Sequence, residues 1–410
     1  MPLLAFCFPK KEPRQVLTER TNENSAEAQV LVVCARKQMD AEERNRLSEL
    51  VAQTLDWALL LHLANENGLL PLLQKNLSEI ACEGIPADVL KQISQESREN
   101  ALRGLFLSAE LFRILDRFRE RNIQAIPYKG PVLAARAYGS ATLRQFDDLD
   151  IVTPQKFMPA VFETMESLDY RARLPCERFV AKGSRAIPGE YVFVHRVNSA
   201  MVEVHTEWTL RHFPVRPDIE AMVRRSTVVS VDGKDVTAFA TEDELLVLAV
   251  HGAKDFWSRL IWVADIAEIV KQSPRLDWEK VIAEAKRLKA VRMLKLGLSL
   301  AREILGLALP SEIVNQIEAD AVVARLTRQL SRNLVRRGTV PTGVLERSLY
   351  RIRMTEGVWD GVRYWARLST APAEEDWALT DIPSRFSGSY VFLRPLRLWK
   401  KYRERAPRKR

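Results

Sequence analysis

Asp148 and Asp150 have the clearest chemical potential in this chain. They stand in the run Asp148-Leu149-Asp150-Ile151-Val152, which reads as a short strand closed by Thr153-Pro154. Alternate residues of a strand share a face, so the two carboxylates project together while Leu149 and Ile151 turn to a core. Carboxylates this close repel unless a cation lies between them. Mg²⁺ suits the pair, because it takes oxygen ligands and keeps places open for phosphate oxygens and water. Mn²⁺ is the alternative. Asp147 has the opposite parity and is not expected as a ligand.

Upstream, residues 123–128 read as a strand and 131–138 as a helix, with Gly130 at the junction. A glycine there lets backbone N–H groups approach a phosphate, and the helix start favours the anion. Pro131 fits the first helical position, where its missing N–H has no helical partner. Lys129 and Arg144 add cations on either side, Arg144 through a two-pronged contact. Lys129, Gly130 and Arg144 are therefore the expected phosphate ligands. A third acid comes from a later strand, residues 200–205, which presents Glu203 and His205 on one face. Glu203 is expected to join the pair as metal ligand or as general base. His205 would support it from behind. An Asp-x-Asp alone is a weak signal, so the case rests on the order of these parts.

The elements that must position them fall into three zones. Residues 1–42 read as a poorly ordered leader with one short strand at 30–34. Residues 43–121 carry helical apolar stripes, including Leu105, Leu107, Leu111, Ile114, Leu115 and Phe118. A small mixed core spans 122–240, with a helix at 154–168, strands at 190–196 and 200–205, and a hairpin at 228–239 turning on Asp232-Gly233. Residues 241–390 return to helix, opening with Thr241-Glu242-Asp243-Glu244, which has the form of a capping box. Further helices are expected at 260–270, 278–288, 291–305 and 311–334. Residues 391–410 are a basic tail. The expected class is α+β, a small mixed sheet flanked by N-terminal and C-terminal helical parts.

Composition excludes several alternatives. Of 410 residues, 47% are hydrophobic and 28% charged, so the chain can bury a large core and is neither fibrous nor disordered. The net charge of +9 suits an anionic partner without choosing among nucleotide, nucleic acid and membrane headgroups. Cys7, Cys34, Cys82 and Cys176 have neither metal-ligand nor disulfide-framework spacing. No apolar run is long enough to span a bilayer, and the charges after the apolar start argue against a signal peptide, so a cytoplasmic location is expected.

Together these motifs resemble the nucleotidyltransferase superfamily that includes DNA polymerase beta and kanamycin nucleotidyltransferase. Within it the chain looks most like the bacterial family called uncharacterised nucleotidyltransferases. The resemblance runs through Lys129-Gly130, Tyr138-Gly139, Arg144, Asp148 to Val152, and Glu203-Val204-His205, with Trp208 slightly displaced. It continues through His251, Trp257 and Leu260-Ile261-Trp262-Val263-Ala264-Asp265, and into residues 390–397, covering roughly 43–400. The chain departs from the pattern at Gly130-Pro131, where the superfamily has Gly-Ser or Gly-Gly. It departs again in a longer gap to Asp148, and at Glu203, where the family tends to Asp.

The resemblance implies a polymerase beta-like core and metal-dependent transfer of a nucleoside monophosphate from ATP or another triphosphate to a hydroxyl acceptor, with release of pyrophosphate. The acceptor could be a small molecule, a sugar, a peptide or a protein. The rival expectations are a non-catalytic nucleotide-binding or regulatory module on the same fold and, more weakly, an RNA-binding protein. His251 and Asp255, at helical i, i+4 spacing, could help to place acceptor or base at the cleft mouth. Packing within a helical domain is the commoner role and the one expected of them. Asp265 is expected in a hydrogen bond at a domain junction. Arg171, Arg173, Arg178 and Lys182 fit either an anion-binding rim or a solvated loop.

Overall fold

The computed structural model describes residues 25–80, 84–173, 189–207, 215, 217–332, 334 and 344–370. The described residues open with α1 (Ala26–Cys34), capped by the Ser25 side chain and buried through Val30, Leu31, Val33 and Cys34. The strand expected at 30–34 is thus a helix, and this part of the expected leader lies in the core. The β-branched run favours a strand by propensity, but an apolar segment surrounded by other helices is buried best as a helix. Next come α2 (Ala41–Val51), α3 (Trp57–Glu66) and α4 (Leu70–Leu77). Asp40 and Glu43 form a reciprocal capping box at the start of α2, and Gly68, at φ 70°, breaks the chain between α3 and α4. The single helix α5 (Ala87–Glu120) has 34 residues, about 50 Å of rod. Leu107, Leu111, Ile114 and Phe118 are buried along it, whereas Leu105 faces solvent, contrary to the stripe read from sequence.

A sheet follows. β1 (Ile126–Tyr128) leads into α6 (Gly130–Leu133), which runs on as a π turn over Ala134–Tyr138. Then come β2 (Asp148–Val152), α7 (Met158–Ser167), β3 (Tyr170–Ala172), β4 (Glu190–His195) and β5 (Met201–His205). The strand order is β1-β2-β5-β4-β3, with β2 and β5 parallel and the other neighbours antiparallel. The short β3 was not foreseen. Neither was α8 (Ile219–Arg224), which precedes the hairpin of β6 (Thr227–Val231) and β7 (Lys234–Ala238). Asp232 and Gly233, at φ 49° and 80°, make that hairpin's turn as expected.

The remaining described chain is helical: α9 (Thr241–Lys254), α10 (Leu260–Gln272), α11 (Trp278–Leu288), α12 (Val291–Leu305), α13 (Ser311–Glu318), α14 (Ala321–Ser331), α15 (Val344–Arg353) and α16 (Val358–Thr370). The capping box expected at Thr241 does not form. Ala240 is the N-cap with no side-chain bond, and Glu244 is drawn to Arg136 instead. The stretch 311–334 is two helices rather than one, because Asp320 caps the second with its carboxylate.

One sheet face, through Leu149, Ile151, Tyr191, Phe193, Val202 and Val204, packs on α5 and α7. The opposite face includes Ile126, Tyr128 and Val152, which join a core shared with α9, α10 and α12. The acidic side chains lie on this second face, at the seam between sheet and helices.

Candidate active site

Strand register assembles the site. β2 and β5 run parallel with Asp150 opposite Glu203 and Val152 opposite His205. Paired residues share a face, so Asp148, Asp150, Glu203 and His205 lie together, as the alternation in sequence required. β1 sets Tyr128 against Asp150 on one side, and β4 sets Glu190 against His205 on the other.

Asp150 is buried, and its Oδ1 lies 3.2 Å from Lys129 Nζ and 3.1 Å from His205 Nε2. His205 Nε2 is also 3.6 Å from Glu203 Oε2, and its Nδ1 is 3.9 Å from Glu190 Oε2. The ring of Tyr128 meets His205 edge-on at 5.5 Å and carries Lys129 Nζ over its face at 5.0 Å. Burial opposes the charge on Asp150, but Lys129 and His205 more than offset it and hold the carboxyl below the usual range. Burial, then the charge of Asp150, push Asp148 up to about 6. Burial, then Glu190, Asp150 and Asp148, push Glu203 up to about 8. The acids therefore repel one another at close quarters, which is the electrostatic condition for cation binding. Donor atoms of Asp150, Glu203 and His205 all lie within 4.8 Å of one another. That oxygen-rich set, with Asp148 on the same strand face, fits a divalent metal. It also gives His205 a donor atom in the group itself, closer in than the supporting place expected of it.

Lys129 occupies an unusual backbone position, φ 60° and ψ −152°, followed by Gly130 at φ 43°. For a residue with a side chain this is strained, and such strain concentrates where geometry serves a ligand. The turn aims the ammonium back at Asp150 rather than out to solvent.

Arg144 behaves differently from the sequence expectation. Its Nε and Nη2 bond both oxygens of Asp265 on α10, at 2.9 and 2.8 Å, and the pair is buried. Tyr138 donates its hydroxyl to the same carboxylate at 3.0 Å. The guanidinium thus ties the loop before β2 to α10, and Asp265 carries the hydrogen bonds expected of it. Arg103 of α5 holds Asp147 through its backbone carbonyl at 3.0 Å and its carboxylate at 3.1 Å.

Sequence reading missed Glu190, because nothing in the order of residues reveals which strand will pair with β5. Arg171 lies within β3 and Arg173 just after it, both exposed, while Arg178, Lys182, Trp208, residues 390–397 and the basic tail lie outside the described residues. So do Cys7, Cys82 and Cys176; Cys34 is buried and free. No helix among the described residues is long and apolar enough to cross a membrane.

The model of a family described as uncharacterised nucleotidyltransferase matches residues 53–306. No curated protein matches. Among solved structures, a lincomycin-bound lincosamide antibiotic adenylyltransferase, LnuA, is 16% identical, with a TM-score of 0.24 over 34% of this chain and 83% of its own. The antibiotic-resistance factor ANT(2'')-Ia in solution is 17% identical, with a TM-score of 0.29 over 43% of this chain and 89% of its own. The crystal structure of ANT(2")-Ia with adenylyl-2"-tobramycin is 16% identical, with a TM-score of 0.25 over 54% and 96%.

Proposed function

The chain belongs to the uncharacterised nucleotidyltransferase family, and from that premise we propose that it moves a nucleoside monophosphate from a nucleoside triphosphate to a hydroxyl acceptor, releasing pyrophosphate. The observation that carries this reading is the register that sets Glu203 beside Asp150, on the face Asp150 shares with Asp148. Three carboxylates on one sheet face, at the seam between sheet and helices, have a chemical use that a solvated strand face lacks.

Asp148, Asp150 and Glu203 would hold Mg²⁺ or Mn²⁺, with His205 against Asp150. A bound ion supplies charge neutralisation and orientation for the triphosphate. Lys129 pairs with Asp150 in the chain alone. With nucleotide present its ammonium is placed to turn to the phosphates, beside the Gly130 turn. The acceptor oxygen attacks the α-phosphorus as the bond to the departing pyrophosphate breaks. Glu203 completes the metal set or receives the hydroxyl proton.

A second reading draws on the Lys129–Asp150 pair, which already neutralises the acid: a module that binds nucleotide without turnover. One experiment separates the two. The protein is incubated with Mg²⁺ and each α-³²P-labelled triphosphate in a cell lysate. Transfer of label that vanishes in Asp148→Ala and Asp150→Ala is the expected result. Tight binding with no label transferred favours the module, and absence of nucleotide binding ends both readings.

A further inference from the structure

Two rows of side chains cross the acidic face of the sheet. Tyr128, Asp150, Glu203 and Val192 stand in register in one, and Ile126, Val152, His205 and Glu190 in the next. The His205 imidazole is buried, and the Tyr128 ring meets it edge-on at 5.5 Å. The imidazole reaches out of its own row toward the acids. Its Nε2 is hydrogen-bonded to Asp150 Oδ1 at 3.1 Å and lies 3.6 Å from Glu203 Oε2. One nitrogen therefore faces carboxylate oxygens from two strands.

These are the separations of neighbouring ligands around a single ion. Two donors each about 2.1 Å from a metal lie about 3.0 Å apart at a right angle and about 3.4 Å apart at a tetrahedral angle. The donor atoms of Asp150, Glu203 and His205 all fall within 4.8 Å of one another. What meets here is thus two oxygens and one nitrogen.

The other side of the ring suits the same role. A carboxylate accepts, so Nε2 must carry a proton while it bonds Asp150 directly. A cation seated between them takes that proton's place and leaves the ring neutral, protonated at Nδ1. Nδ1 faces Glu190 Oε2 across the β4–β5 ladder at 3.9 Å. That is too long for a hydrogen bond, but the nearby negative charge favours N–H on that side. Nitrogen also changes which ion the site favours. Mg²⁺ seeks oxygen donors, whereas first-row transition ions bind mixed nitrogen–oxygen sites with an affinity that climbs from Mn²⁺ through Co²⁺.

We propose that His205 Nε2 is a direct ligand of the metal, beside Asp150 and Glu203, so that the site prefers a transition-series divalent ion such as Mn²⁺ to Mg²⁺. The ion is the one that the transfer reading above requires, and the assignment rests on that reading.

The test uses the full chain with Mn²⁺ alone and reads pulsed electron paramagnetic resonance, so it needs no acceptor. A directly bound imidazole couples its nitrogen to the manganese electron spin. Echo modulation from ¹⁴N is expected in the wild type, and it should change to the ¹⁵N pattern when the protein carries ¹⁵N-histidine. The chain has five histidines, so His205→Asn assigns the signal. In that variant the modulation disappears, Mn²⁺ affinity falls at least about tenfold, and Mg²⁺ affinity, measured by competition, stays within about threefold. Manganese bound to the wild type without nitrogen modulation overturns the proposal and leaves an all-oxygen site and the transfer reading intact. That outcome needs no variant, so it stands even if His205→Asn fails to fold. A parallel loss of both ions in the variant also overturns the proposal, because His205 would then only brace Asp150. A wild type that binds no divalent ion, with or without ATP, overturns both.

Discussion

Lys129 does two incompatible things, and which one prevails decides the state of the site. Its ammonium sits 3.2 Å from Asp150 Oδ1, where it competes with any cation for the same oxygen. The same group is the nearest candidate to meet a triphosphate. Lys129→Met should therefore act with opposite signs on two ligands. Mn²⁺ alone should bind more tightly, by roughly tenfold, because a charge–charge contact at this separation near a surface exceeds 1 kcal/mol. Mg–ATP should bind more weakly by a similar factor. Calorimetric titration of each ligand reads both, and a variant that weakens both in parallel would remove the competition argument. Glu203 yields a second residue-scale expectation. Its carboxyl is pushed from an ordinary 4.5 to about 8, and that of Asp148 from 3.8 to about 6. Raised values mean that the folded chain binds more protons than the unfolded one, so this contribution is present at low pH and lost as pH rises through 6 and then 8. Asp150 runs the other way, but only below its ordinary range. A divalent ion reverses the loss by binding the ionised acids. Mg²⁺ should raise the unfolding temperature more at pH 8 than at pH 5, by about 1 °C for each kcal/mol of linkage in a chain of this length. Equal upshifts at the two pH values in calorimetry would mean that these acids are not the ligands.

At the scale of elements, the slot for Trp257 is the sharpest constraint. Gly252 and Gly297 face each other across the indole, and the ring leaves no room for a methyl at either. Gly297→Ala should cost about 1–3 kcal/mol by overpacking, despite alanine's better helix propensity. The ring should shift, which near-ultraviolet dichroism would register while far-ultraviolet dichroism stays unchanged. A stabilised Gly297→Ala protein would show that the slot yields. Elements of this kind differ in how far the sequence discloses them. Trp278–Leu288 and Val291–Leu305 were legible to the residue, because their apolar positions repeat at helical spacing and glycine or a left-handed lysine ends them. The acid strand was legible because alternation and Thr153-Pro154 bound it. Residues 30–34 were misread, since local propensity cannot report that other helices will surround them. The partnership of Asp150 with Glu203 could be hoped for but not read, because register depends on a pairing 53 positions away that no local pattern encodes.

At the scale of the whole molecule, one buried ion pair spans the seam on which the site lies. Arg144 belongs to the loop that feeds β2, and Asp265 to α10, 121 residues later. From sequence, Arg144 looked like a phosphate ligand, since a lone arginine beside an acid strand gives no sign that a distant carboxylate will claim both prongs. In the fold those prongs, with the Tyr138 hydroxyl, satisfy Asp265 completely enough for it to be fully buried. Removing either partner alone strands a charge in the interior. Arg144→Met and Asp265→Leu should each cost about 3–5 kcal/mol in chemical denaturation, whereas the double variant should cost far less than their sum. The same variants distinguish tether from ligand. If Arg144 serves as a tether, the double variant keeps Mg–ATP affinity within about threefold, because the apolar pair still joins loop to helix. If it meets phosphate, every variant lacking the arginine loses at least about tenfold in affinity, whatever stands at 265, as the loss of a charge-assisted bidentate contact requires. The geometry favours the tether, for a guanidinium that left Asp265 to meet a nucleotide would abandon a carboxylate with no water to receive it.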